Sequence, residues 1–148
     1  MEISSKKKIT LANNLFFEEL KVYLDKGQRV TIRVAGNSMN PFLKHGDRVV
    51  LKPIENADLK LGRIVLADTE QGYILHRIVK IMDDEIWLAG DANLQQIERL
   101  KKEEVWAIVA EAFNDKGKID VHSFLTINAA FIWYWARPVR RLLNWIKK

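Results

Sequence analysis

The chain has 148 residues, of which 48% are hydrophobic and 29% are charged. This composition fits one globular domain with a hydrophobic core, and the sequence contains no repeat or low-complexity segment. The absence of cysteine excludes disulfides, thiolate metal sites and a cysteine nucleophile. The sequence also lacks a phosphate-binding glycine loop, metal-ligand spacing and a dinucleotide fingerprint, so we expect no metal and no other cofactor.

The net charge of +5 belongs to the C-terminal tail, residues 122–148. Residues 1–121 contain 19 basic and 19 acidic residues, whereas the tail has five basic residues and no acidic one. A nucleic-acid-binding protein more often carries its basic surface on the folded domain, so we expect no nucleic-acid partner. A basic tail that is also rich in tryptophan indicates anionic lipid headgroups instead.

The N-terminal region is predicted to be helical. Residues 1–8 are polar, and no apolar stretch of the kind found in a cleaved secretory signal follows them. Residues 10–26 form an amphipathic pattern, because their large apolar side chains recur at helical spacing. Gly27 is placed to end this helix, which we expect to cover one side of the core.

The middle of the chain consists of short β-runs separated by glycine and aspartate turns. This pattern predicts a mainly β fold, in which an antiparallel domain has an amphipathic helix in front and a hydrophobic helix behind. Residues 94–102 are compatible with a turn or a short helix. The predicted strands are residues 29–34, 48–53, 64–67, 73–81, 85–88 and 105–113.

The tail differs in character from the domain that precedes it. Residues 124–136 are apolar all round, but the run is shorter than the roughly 20 residues that span a bilayer. A basic amphipathic stretch, residues 139–148, follows. We expect residues 123–148 to lie on a membrane surface. The sequence does not determine which face of the membrane this is, and the alternative location is the cytoplasm. The competing interpretation is a helix packed on the domain or on a partner.

Ser38 lies in the segment GNSMNP, residues 36–41, directly after the first predicted strand. Gly36 allows a sharp exit from that strand, and Pro41 can extend neither a strand ladder nor a helix interior. A small hydroxyl on such a rigid corner suits a nucleophile, although ordinary turn serines have the same surroundings.

A serine nucleophile needs a base, and His76 is the preferred candidate. It lies within an apolar β-run, where burial favours the neutral imidazole that a general base requires. A hydrogen-bonded core histidine is the alternative interpretation. Other candidate bases lie in turns, after the last strand or beside polar residues: His45, His122, Lys44, Lys52 and Lys80.

A series of short motifs follows in one order along the chain: residues 38–41, 46–50, 61–65, 76–79 and 90–93. In this order the chain resembles the catalytic domain of type I signal peptidases, which share a β fold with the self-cleaving repressors of the SOS response. The resemblance covers about residues 30–112. It implies that Ser38 is the nucleophile and His76 the base, as in the endoplasmic-reticulum, archaeal and sporulation-type enzymes. The usual bacterial enzymes and repressors use lysine instead.

The resemblance leaves the supporting residues of the site open. His-type enzymes orient the histidine with a carboxylate shortly after the glycine-aspartate motif, and here Asp91 and Glu98 are the two candidates. A hydroxyl residue often helps to hold the oxyanion two positions before the nucleophile, but this chain has Gly36 there. The oxyanion hole would then use Asn37 and the backbone N–H of Ser38. The pattern of Gly36, Ser38 and Met39 is closer to the one in the self-cleaving repressors than to the one in signal peptidases.

The predicted function is therefore that of a signal-peptidase-type serine endopeptidase, acting on an exported or membrane-proximal peptide. The family usually has an N-terminal membrane anchor, and the tail is the candidate for that role here. We expect residues 1–121 to form the catalytic domain and residues 122–148 a membrane-interacting tail. Two alternatives are a weak or inactive homologue that binds peptide along a strand edge, and a self-processing domain.

Overall fold

The computed structural model describes residues 15–148, which form an antiparallel β domain with helices at both ends. Helix α1 covers residues 15–25, so the predicted N-terminal helix is present where the structure describes it, and residues 10–14 lie outside the described part. The other elements are β1 (Val30–Arg33), β2 (Arg48–Pro53), β3 (Ile64–Thr69), β4 (Gly72–Ile81), β5 (Glu85–Ala89), β6 (Glu98–Lys101), β7 (Val105–Asn114), β8 (Gly117–Ile119), α2 (Phe124–Trp135) and α3 (Arg137–Ile146).

All strands belong to one sheet, in the order β1-β2-β7-β3-β4-β5-β6, and β8 pairs with β7. Each pairing is antiparallel. Short 3₁₀ helices cover Asn56–Asp58 and Lys102–Glu104. The mainly β fold class predicted from the alternating runs and turns is thereby confirmed.

The sheet has apolar residues packed on both of its faces. Strand β3 shows this directly, because Ile64 and Leu66 belong to one core cluster and Val65 and Ala67 to another. Successive side chains of a strand point to opposite faces, so a continuous apolar run is the expected sequence of a strand that is covered on both sides. Leu20 and Leu24 of α1 complete the first cluster, which agrees with the expectation that α1 covers the core.

Two sequence assignments differ from the structure. Residues 94–102 do not form a helix: Glu98–Lys101 is strand β6, which pairs with β5 through Glu98↔Leu88 and Glu85↔Lys101. Without β6 the outer edge of β5 would have unpaired backbone groups, and pairing with this edge decides the conformation of a segment whose sequence is compatible with a turn or a short helix. The predicted strand 105–113 is not the last one, because β8 follows it after a tight turn at Asp115 and Lys116.

The tail folds into two helices that contact the domain. Ser123 caps α2 by accepting a hydrogen bond from the Thr126 N–H, as serines at the N-cap position of a helix commonly do. Ile127 and Phe131 of α2 pack over Gly62, and Arg137 at the start of α3 is buried. No helix within residues 15–148 combines the length and the apolar character needed to cross a membrane.

Candidate active site

The loop after β1 places Ser38 at a corner of the domain. Two backbone hydrogen bonds close its base, from the Val34 N–H to the Asp47 oxygen at 2.7 Å and from the Gly46 N–H to the Val34 oxygen at 2.9 Å. Gly36 has φ +80°, a conformation that favours glycine, and its N–H donates to Nδ1 of His45 at 2.9 Å. The Asn40–Pro41 peptide bond is cis. The corner predicted from the sequence is therefore a hydrogen-bonded loop.

A second loop, residues 90–93, lies against the backbone of the Ser38 corner. The Ala92 N–H donates to the carbonyl oxygen of Ser38 at 2.9 Å. A β-carbon on Gly90 would lie 2.7 Å from that same oxygen and 3.0 Å from Nε2 of His76. The backbone of Ser38 and the imidazole of His76 are thus neighbours, and only a residue without a side chain fits between them at this spacing.

The imidazole of His76 is held by Glu98. His76 is 6% exposed, and its Nδ1 lies 3.0 Å from Oε2 of Glu98, whose side chain is also largely buried. A carboxylate at this position stabilises the tautomer with the proton on Nδ1, which leaves Nε2 free to accept a proton. Because β6 pairs with β5 and β5 with β4, the sheet itself brings Glu98 beside His76.

Asp91 has a different partner from the one considered in the sequence analysis. Its two carboxylate oxygens accept hydrogen bonds from Nε and Nη2 of Arg77 at 2.8 and 2.7 Å. Both side chains are buried, and Arg77 also donates to the Gly62 oxygen at 2.8 Å. This bidentate ion pair fixes the loop that carries Gly90. Of the two candidate acids, the structure places Glu98 against His76 and Asp91 against Arg77.

The two residues considered for an oxyanion hole lie at the surface of the Ser38 corner. Asn37 is exposed and Ser38 is half-buried. The Asn37 carbonyl accepts from the Asn40 N–H at 3.1 Å, which fixes the turn around Ser38. The Asn40 side chain has a buried Oδ1 that accepts no hydrogen bond from residues 15–148. The role of Asn37 and the Ser38 N–H in binding an oxyanion therefore stays a prediction.

Ser38 and His76 line one cavity of about 380 Å³. Its walls come from α1, from the end of β1 with the following loop, and from the first half of β4. Phe17 of α1 stacks on Tyr73 of β4 with ring centroids 4.4 Å apart, and both rings line the cavity. The volume is within the range of small-ligand and peptide side-chain sites. The lining residues are Phe16, Phe17, Ile32, Arg33, Val34, Ala35, Ser38, Met39, Leu66, Tyr73, Ile74, Leu75 and His76.

The other candidate bases lie elsewhere among the described residues. None of them lines the cavity that contains Ser38. Lys52 forms an ion pair with Asp58 at 3.2 Å, and Lys80 lies over the Trp87 ring at 4.3 Å. Nε2 of His122 lies 2.8 Å from the Ala110 oxygen, and burial lowers the pKa of His122. Within residues 15–148, no cluster of His, Asp and Glu side chains is arranged to hold a metal ion.

Sequence reasoning missed the contacts that surround the site. The aromatic wall made by Phe17 and Tyr73 joins residues that are far apart in the chain, and helical spacing identified Phe17 only as part of a helix. The tail also reaches the site: Nε1 of Trp133 and Nη2 of Arg140 both donate to the Asp91 carbonyl oxygen. No local sequence pattern predicts either contact.

A corner serine, a buried histidine–glutamate pair and an antiparallel sheet agree with the resemblance to serine peptidases and repressor-type proteins. The model of the Peptidase S24-like family matches residues 2–113. This match covers most of the chain, and the chain therefore belongs to the Peptidase S24-like family. It ends before α2. Searches of the curated proteins and of the solved structures found no match.

Proposed function

We propose that the protein is a serine endopeptidase of the signal-peptidase type, in its histidine-base form. Ser38 is the nucleophile, His76 the general base and Glu98 the residue that orients His76. The observation that carries this proposal is the 3.0 Å contact between Nδ1 of His76 and Oε2 of Glu98. Nε2 of the same ring and the Ser38 carbonyl oxygen lie 3.0 and 2.7 Å from the point that a β-carbon on Gly90 would take. A buried histidine with a purely structural role needs no free nitrogen on the side of a serine loop.

The proposed reaction gives each of these residues one role. The Ser38 hydroxyl attacks the peptide carbonyl and passes its proton to Nε2 of His76, while Glu98 stabilises the imidazolium that forms. The imidazolium then protonates the leaving amine, and an acyl-enzyme remains on Ser38. Water hydrolyses this ester by the same proton path in reverse. The backbone N–H of Ser38, with Asn37, would stabilise the oxyanion.

The strands around the cavity favour an extended peptide as substrate. Strand β1 is at one end of the sheet order, and β5 pairs with β4 only from Arg77 onward. The end of β1 and the first half of β4 therefore each present a strand edge beside the cavity, without a strand partner among the described residues. An extended peptide binds such edges through its main chain and places alternate side chains in the cavity. A substrate with small residues at the cleavage site is part of the proposal.

We also propose that residues 123–148 attach the domain to an anionic membrane surface, so that the substrate is an exported or membrane-proximal peptide. The tail carries most of the large apolar side chains that are exposed in the described residues, including Trp135 and Trp145 at 71% and 73% exposure. Arg141, Lys147 and Lys148 are exposed beside them, and the tail has no acidic residue. Apolar and basic side chains together are the features that bind anionic interfaces.

A serine-reactive fluorophosphonate probe and a library of extended peptides test the peptidase proposal. The wild type should be labelled and should cleave peptide, and Ser38→Ala and His76→Ala should abolish both reactions. If the wild type binds peptide without cleaving it and is not labelled, the protein is the inactive, peptide-binding homologue. If only Ser38→Ala abolishes reaction, His76 is not the base.

Vesicle flotation tests the membrane proposal on the full chain. Binding should be stronger to vesicles with anionic lipid than to neutral ones, and the triple variant R141E/K147E/K148E should lose it. The matched control is the triple variant K26E/K60E/K116E, which reverses the same number of charges on exposed lysines of the domain. Equal flotation of the wild type and the triple variant would contradict the proposal.

A further inference from the structure

We propose that Trp133 and Arg140 of the C-terminal tail are positioning residues for the site. They hold the loop of residues 90–93 against Ser38 through the carbonyl oxygen of Asp91. The inference deepens the proposed peptidase function and rests on it for the effect on catalysis. It concerns residues that lie beyond the part of the chain matched by the family, 2–113.

Two donors from different helices converge on one oxygen. Nε1 of Trp133, in α2, lies 2.8 Å from the Asp91 carbonyl oxygen, and Nη2 of Arg140, in α3, lies 3.0 Å from it. The guanidinium of Arg140 also lies 4.0 Å from the centre of the Trp133 ring and donates through Nη1 to the Trp133 carbonyl at 3.1 Å. Each side chain thus holds the other in place as well as the loop.

The loop between these donors and Ser38 is short and hydrogen-bonded on both sides. From the domain side, Arg77 binds the Asp91 carboxylate; from the tail side, Trp133 and Arg140 bind the carbonyl of the same residue. The next residue, Ala92, donates its N–H to the Ser38 carbonyl at 2.9 Å. A shift of Asp91 would therefore move the group that holds the backbone of the nucleophile.

Arg137 adds a third contact from the tail to the same region. Its Nε donates to the Leu94 carbonyl at 2.9 Å, and its side chain is buried. Burial lowers the pKa of Arg140, and the positive charge of Arg137 lowers it further. Two arginines are thus brought together and partly desolvated at this loop, an unfavourable arrangement that the carbonyl acceptors and the negative charge of Asp91 offset.

The first experiment measures the loop directly and does not depend on activity. Hydrogen exchange of the Ala92 amide is followed in the full-length wild type, W133F, R140M and the double variant. W133F keeps the ring but loses the indole N–H, and R140M keeps much of the stem but loses the guanidinium. Because either donor can still hold the carbonyl alone, we expect about twofold to fivefold faster exchange in each single variant. The double variant should exceed the product of the two single effects.

The matched controls remove the same groups elsewhere. W87F loses an indole N–H that donates to Glu85 at 2.8 Å, and R48M loses an exposed guanidinium on β2. Neither should change exchange at Ala92. Unchanged exchange in the double variant, with the fold intact by circular dichroism, would overturn the inference.

The second experiment measures kcat and KM for peptide cleavage with the same set of variants. A positioning role predicts that kcat falls about tenfold or more in the double variant while KM stays within about twofold, because small displacements of reacting groups mainly affect the chemical step. R140K, which retains a positively charged donor group, should recover part of the loss. Equal loss of activity in R140K and R140M, or a change in KM alone, would contradict a positioning role. If the wild type cleaves no peptide, the proposed function fails, and the exchange result alone decides whether the tail holds the loop.

Discussion

Replacing Gly90 with alanine tests how closely Ser38 and His76 must approach each other. The added β-carbon would lie 2.7 Å from the Ser38 carbonyl oxygen, 3.0 Å from Nε2 of His76 and 3.0 Å from Nδ2 of Asn93. The first contact is with backbone, which cannot rotate away, so the Ser38 loop or the loop of residues 90–93 must move by several tenths of an ångström. Gly90 has no positive φ in the structure, so alanine introduces no backbone strain of its own.

The expected consequence is a larger loss of activity than of stability. A displacement of about 1 Å at reacting groups can cost about 10²-fold in rate, so a smaller shift here should lower kcat by about tenfold to 10²-fold. Overpacking of this kind typically costs about 1 to 3 kcal/mol in the free energy of unfolding. Peptide cleavage and fluorophosphonate labelling measure the first effect, and urea denaturation the second.

A matched control separates the site from general destabilisation. Gly27 has φ +77° and no neighbour within 4 Å of an added β-carbon, so Gly27→Ala should cost about 1 kcal/mol through the backbone alone. Its kcat should equal that of the wild type. If Gly90→Ala retained wild-type kcat, the proposed approach of His76 to the Ser38 loop would be wrong.

Three further predictions concern the acids. Glu98→Gln should lower kcat by about 10²-fold to 10⁴-fold with little change in KM, because the amide can present its oxygen or its N–H to His76 and no longer stabilises the imidazolium. Steady-state kinetics measure this effect, and a wild-type kcat in the variant would exclude Glu98 from the site. Asp91→Ala should destabilise the fold by about 3 to 5 kcal/mol in urea denaturation, since Arg77 would be left buried without its partner. Hydrogen bonds from Ser123 and then Thr126 lower the pKa of Asp120, so its stabilisation of the start of α2 is complete above about pH 4 and is lost progressively as the pH falls toward the lowered pKa. Amide exchange in α2 from about pH 6 down to about pH 2 should show the onset of this loss below about pH 4 in the wild type but not in Asp120→Asn.

The sequence predicts the elements of this fold well where the signal is local. The run at β2 follows the prediction to the residue, because alternating burial and a terminal proline depend only on neighbouring positions. The apolar run at β3 and the histidine-bearing run at β4 were recognised for the same reason. The family resemblance likewise rests on short motifs that are readable without coordinates, and the family match agrees with it at the level of the superfamily.

Tertiary structure alone decided which acid lies against His76. Glu98 is in a segment whose local spacing allowed a turn or a helix, and it becomes a strand because β5 offers an unpaired edge. That pairing carries Glu98 across two strands to His76, while Asp91, which is nearer in sequence, is taken by the buried Arg77. Contacts between residues far apart in the chain depend on the strand order, which short-range periodicity does not encode.

The tail shows the same division. Its sequence determined the hydrophobic helix, the basic amphipathic stretch after it and the excess of positive charge, since these follow from composition and spacing. The division into the separate helices α2 and α3 comes from the structure. The sequence left open whether the tail packs on the domain, and attachment to a membrane stays a prediction. Only the folded chain brings Trp133 and Arg140 to the Asp91 carbonyl. A backbone oxygen has no sequence signature as a binding partner, because every residue carries one and only the fold determines which are left to accept.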